Sequence, residues 1–313
     1  MYDISLADSI TVFIQHLTGN ITDFKADRYI WDVRLPRAIG TVVLGAGLSV
    51  AGAVMQNNFR NPLAEPYTMG ISSGAFFGVV IGMVTGISIL PGLPVQAGYT
   101  VNAFLFSLVP IGMILLISRF KNVTPVSMIL IGIAIMFLFN SVSQILLLAS
   151  SAETLHDAYL WRVGNTSRID WDALPVMVPV TAAVIVIVWL LSDKLNVMYA
   201  GDRGAQSMGI KPQKLRLASL TIVSLMTASI VSLTGTIGFI GLVGPHIARI
   251  FVGSNNRYLI PASAAFGAMF MAAADTIAKV TGPDGLPVGV ICSMVGGPLF
   301  IYILIKRSKK VWM

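Results

Sequence analysis

The side chains best equipped for chemistry are few and far apart. His16, His156 and His246 share no ligand spacing with one another or with Cys292, the single cysteine. Neither a zinc-type ligand set nor HExxH can be read from them, so the sequence implies no metal and no cofactor. One cysteine cannot form an intrachain disulfide. No GxxxxGK[ST] loop is present to cradle a nucleotide. Clustered carboxylates or His pairs, which an enzyme site would need, are missing as well. What remains is charge recognition and polar contact in an apolar setting. Arg34 and Arg37 flank Leu35-Pro36 just ahead of an apolar run, and guanidinium groups suit carboxylate partners. Lys279 stands four residues after Asp275, which on a helix is ion-pair spacing. Gly201-Asp202-Arg203-Gly204-Ala205-Gln206-Ser207-Met208-Gly209 reads as a short helix of small residues that Gly209 ends. Thr124-Pro125-Val126-Ser127 opens an apolar run in which Asn140, Ser141, Ser143 and Gln144 are the polar interruptions.

These residues must be positioned by membrane helices. Of the 313 residues, 55% are hydrophobic and 11% charged, with a mean hydropathy of +0.80. A soluble domain carries about 25% charged residues. The expected fold is all-α: a polytopic transmembrane bundle of about nine spans, at 38–58, 70–90, 98–118, 125–149, 173–191, 215–233, 237–252, 259–280 and 287–305. The seventh is short and holds Pro245 and His246, which suits a broken or tilted helix buried among others. The expected division is an external segment 1–37, a transmembrane domain 38–306 and a cytoplasmic tail 307–313. Residues 1–35 carry Asp3, Asp8, Asp23, Lys25, Asp27, Arg28 and Asp32, so they form neither a signal core nor a span.

The net charge of +7 belongs to loops rather than to a nucleic-acid surface, since no basic helix or zinc spacing accompanies it. With the C-terminus in the cytoplasm, 14 of the 21 Lys and Arg residues fall on the cytoplasmic side, as the positive-inside rule requires. No loop is long enough to be a soluble catalytic domain. Gly45, Ser49 and Ala53, and likewise Gly78, Gly82 and Gly86, recur every four residues. Such faces suit close helix packing, or helices that slide past one another.

Four segments stand in order along the chain: Arg34-Leu35-Pro36-Arg37, Arg60-Asn61-Pro62-Leu63-Ala64-Glu65-Pro66, Gly238-Phe239-Ile240-Gly241-Leu242-Val243-Gly244-Pro245-His246-Ile247-Ala248-Arg249 and Leu286-Pro287-Val288-Gly289-Val290. With Gly297-Pro298-Leu299-Phe300 they resemble the FecCD-like permeases, the membrane subunits of ATP-binding-cassette importers for iron–siderophore complexes, haem and cobalamin. The resemblance spans residues 5 to 306. It implies a dimer of permeases, a pair of cytoplasmic ATPases that hydrolyse ATP in its place, and an extracytoplasmic binding protein. The family has ten spans, so the resemblance implies either a first span upstream of Met1 or a subunit of nine spans.

Role by role, the resemblance makes Arg34, Arg37 and Lys279 binding-protein docking residues. Gly201, Asp202, Arg203, Gly204, Ala205, Met208 and Gly209 become the ATPase-coupling helix. Thr124, Pro125 and Ser127 become the cytoplasmic gate, and Asn140, Ser143 and Gln144 line the path. Each set has a plainer reading: interfacial anchoring for the cations, a solvated loop for 201–209, and helix–helix hydrogen bonding for the span polars. A secondary transporter is the competing function. It would keep ionisable groups deep in the membrane, whereas the apolar runs hold few beyond Asp275 and Arg249, both near span ends.

Overall fold

The computed structural model describes residues 5–121, 123–281 and 285–307, and within them every regular element is helical. The chain opens with α1 (Leu6–Thr18), whose cap Ser5 accepts the Asp8 N–H at 3.1 Å. Next, α2 (Phe24–Arg28), a π-helical turn and α3 (Leu35–Phe59) run on as one rod over Phe24–Phe59. Residue 37 is therefore no break in the chain. His16 lies 3.8 Å from Trp31 in a stack, and its Nδ1 is 2.8 Å from Asp27, which folds α1 back onto that rod.

Then come α4 (Ile71–Thr85), α5 (Val95–Ser107), α6 (Val109–Phe120), α7 (Pro125–Leu148) and α8 (Ala152–Val163). After them follow α9 (Leu174–Leu190), α10 (Ser192–Val197), α11 (Gly201–Ser207) and α12 (Pro212–Thr234). The last three are α13 (Ile240–Val252), α14 (Asn256–Val280) and α15 (Val288–Arg307). Apolar helices stand at each of the nine expected places. Among the described residues, five are long and apolar enough to cross a bilayer, namely the rod ending in α3, the α5–α6 pair, α7, α12 and α14. A sixth forms if α9 and the α10–α11 segment, bent by 58°, count as one. The second and seventh expected spans are shorter than drawn. Gly86 stops α4 in the left-handed region (φ 69°), and Phe239 delays α13 by taking φ 68°, a costly conformation for a bulky residue.

α3 is the axis of the bundle. Its small residues let α13 and α14 touch its backbone: a Cβ at Gly52 would strike the Gly241 carbonyl, and one at Gly45 the Gly267 carbonyl. Ser49 sits between Gly244 and Gly267. The recurring small residues thus serve close packing.

After α3 the chain turns back along it. Arg60, with φ 47°, reverses direction. The Tyr67 hydroxyl donates to Ile237 O (2.8 Å) and accepts its N–H (3.1 Å). Glu65 reaches Gly241, next to Leu48 in the middle of α3. This irregular backbone is tolerated because its polar groups are met inside the protein. The expected 307–313 tail lies outside the described residues except for the backbone of Arg307.

Candidate functional site

Three clusters of the sequence-predicted residues form, two of them at opposite ends of α3. At its first end, Arg37 donates from Nε (3.0 Å) and Nη2 (2.7 Å) to Asp275 Oδ1. Thr166 Oγ1 donates to the same oxygen at 2.6 Å, and Lys279 Nζ lies 2.7 Å from Oδ2. The Asp275 side chain is 4% exposed, that of Arg37 15% and that of Lys279 30%. Helical spacing brings Lys279 onto Asp275, as the sequence suggests. Arg37 and Thr166 arrive from far along the chain, and Thr166 carried no sequence signal. Arg34 stays out of the cluster, and its guanidinium lies over the Tyr29 ring at 4.8 Å. Arg37 therefore anchors α3 to α14, Lys279 closes the pair within α14, and both cationic ends sit nearer the surface than the carboxylate they share.

At the other end of α3, the predicted short helix forms as α11. It closes in a Schellman arrangement in which Gly209 N–H donates to Gln206 O and Ile210 N–H to Ala205 O, both at 3.0 Å. Gly209 takes φ 79°, which glycine adopts at little cost. Asp202 is held by Arg216 through both carboxylate oxygens, at 2.7 and 3.2 Å. That hydrogen-bonded guanidinium keeps the Asp202 carboxyl below its usual range. Arg216 Nε also donates to Asn58 O at 3.0 Å, and Asn58 Nδ2 donates to Ser219 Oγ at 2.8 Å. Arg60 approaches Asp202 at 3.8 Å and stands beside Gly201. Arg203 and Met208 face outward.

Two expectations change here. Ala205 is fully buried in its own chain, so it is packing beneath α11 and not a residue that α11 presents. Arg216, inside the expected span 215–233, adds to the few ionisable groups expected in the apolar runs and is among the largest fully buried side chains. It follows Pro212 by one helical turn. That spacing could have marked it as inward-facing, but its partners 14 and 158 residues away could not be foreseen.

The third cluster is the start of α7. Thr124 Oγ1 accepts the Ser127 N–H at 3.2 Å with Pro125 in the first turn, an ordinary helix cap. Thr124 and Pro125 line a cavity of about 720 Å³ together with Asp202, Gln206, Gly209, Lys211 and Arg216. The residues expected to gate and those expected to couple therefore share one wall. Farther along α7, Gln144 is exposed and Asn140 partly so. Ser143 departs from expectation. It is buried and donates to Phe139 O in its own helix at 2.7 Å, so it lines no open path.

His246 is buried, with Nδ1 2.7 Å from Leu242 O and its ring edge-on to Phe300. Among the described residues, no three His, Cys, Asp or Glu side chains converge as metal ligands.

The comparisons agree with this architecture over nearly the whole chain. The hemin transport system permease of Yersinia pestis is 34% identical over 284 residues, covering 90% of this chain and 85% of that one. The cobalamin import permease of Halobacterium salinarum is 34% identical, covering 88% and 73%. A solved inward-facing structure assigned to the metal-chelate type of ABC transporter superposes with a TM-score of 0.83 at 29% identity, covering 91% and 90%. The profile of the FecCD transport family matches residues 2–306. A bundle of apolar helices around α3, with ionic clusters at both of its ends and relatives along its full length, belongs to the FecCD transport family.

Proposed function

We propose that this chain is the membrane-spanning permease subunit of an ATP-binding-cassette importer. It passes an iron chelate (siderophore or haem) or cobalamin across the cytoplasmic membrane, a reading supported by relatives whose own names give hemin transport and cobalamin import. It works as a homodimer, receives cargo from an extracytoplasmic binding protein and is driven by a separate ATPase dimer. The C-terminus is cytoplasmic, which puts the Arg37 end of α3 outside and the Arg60 end inside.

The observation that carries this reading is α11. A seven-residue surface helix presents Arg203, Gln206, Ser207 and Met208 outward while a buried guanidinium fixes its base. That is a shape for pressing against a partner, and the chain has no nucleotide-binding loop of its own. Arg34, Arg37 and Lys279 then meet carboxylates of the binding protein, competing with Asp275 for the last two. Asn140 and Gln144 face the path between the two copies, with Thr124, Pro125 and Ser127 at its inner mouth.

The test is co-purification with a soluble ATPase, combined with cysteine labelling from each side of sealed vesicles. A cysteine at exposed Ser207 should react only from the ATPase side, and one at exposed Ser167 only from the opposite side. Labelling of both from one side, or no ATPase in the purified complex, would remove the reading.

A further inference from the structure

Resting on the permease reading, we infer that Arg216 is a positioning residue that fastens the coupling helix α11 to the last turn of α3, so that a displacement of α11 moves α3. Arg216 leaves only 2% of its side chain exposed, and its named contacts reach other elements. Two nitrogens hold Asp202 on α11. The third takes Asn58 O, a carbonyl in the last turn of α3 that the helix ladder cannot satisfy. Among the described residues, the side-chain hydrogen bonds joining α11 to other elements all run through Asp202. The same turn of α3 holds the segment just before α11, because Asn57 Nδ2 donates to Leu195 O of α10 at 3.1 Å.

Displacement at that end must travel. α3 is 25 residues long, about 37 Å at helical rise. Its backbone is in contact with α13 at Gly52 and with α14 at Gly45, so it cannot bend away without separating close-packed carbonyls. At its far end Arg37 is tied to Asp275 on the same α14. A push on α11 therefore reaches the outer ionic cluster as movement of one packed body, in the way tightly packed interfaces shift between discrete arrangements. Asp202 is 40% exposed on its side chain. It can be substituted without burying a new group, which makes it the better handle of the two.

The experiment uses the full permease–ATPase complex in vesicles with its binding protein, and reads cargo taken up per ATP hydrolysed. Asp202→Asn keeps the shape but removes the charge, and the ratio should fall about tenfold, within the span of measured coupling energies. Asp202→Glu should restore most of it. A second readout places spin labels at exposed Met208 and at exposed Leu63, just past α3. With Asp202 present, the two labels should hold one distance through the nucleotide cycle; in Asp202→Asn the distribution should broaden. An unchanged ratio together with an unchanged distance in Asp202→Asn would overturn the latch. A parent complex that binds no ATPase would instead overturn the permease reading beneath it.

Discussion

The two ends of α3 are fastened by opposite chemistry. At the Arg37 end the most buried group is an anion: Asp275 gathers a guanidinium, an ammonium and a hydroxyl. At the Arg60 end it is a cation, since Arg216 gathers a carboxylate and a main-chain carbonyl. A buried charge is tolerated where its hydrogen-bonding capacity is filled, and both ends satisfy that condition. They differ in what they turn outward. The first end presents cations around a hidden carboxylate, and the second presents a carboxylate-bearing helix over a hidden guanidinium. The better-exposed partner of each pair is the one that another protein can reach. The buried partner sets where that partner's touch is felt.

Removing the buried member should cost most where its neighbours have no other recourse. Arg216→Ala empties a fully buried site and strands Asn58 O, so it should destabilise the protein by about 3 kcal/mol. The measure is thermal unfolding in detergent. A loss below about 1 kcal/mol would mean that water already satisfies this site, and the contrast between the two ends would collapse. Asp275→Asn should cost less, about 2 kcal/mol, because Lys279 is 30% exposed and can turn to water. If it costs more than Arg216→Ala, the anchor lies at the first end instead.

The smallest effect is a pH response at the second end. The Asp202 carboxyl titrates below its usual value, so its contribution to stability is present above about pH 3.9. It is lost only as pH falls through the lowered value. Mild acid should therefore leave the spacing of the Met208 and Leu63 labels unchanged. A change in spacing between pH 5 and pH 7 would show that some other group holds α11.

The sequence by itself determined the class of the molecule and the places of its helices. Hydropathy summed over about 20 residues is a property of a segment and needs no knowledge of neighbours. Local chemistry was equally legible. Gly209 ending α11 and Lys279 meeting Asp275 each depend on residues within five positions of one another. Helix ends were read less well, since Phe239 delays the start of α13 and Gly86 stops α4 inside apolar runs. Tertiary structure alone decided which polar groups are internal. Arg37 on Asp275 spans 238 positions and Arg216 on Asn58 spans 158. Ala205, read as outward, and Ser143, read as lining a path, are both turned inward. On a helix the side that faces inward is set by what packs against it. In a chain whose lipid-facing and protein-facing sides are both apolar, no hydrophobic periodicity marks that side.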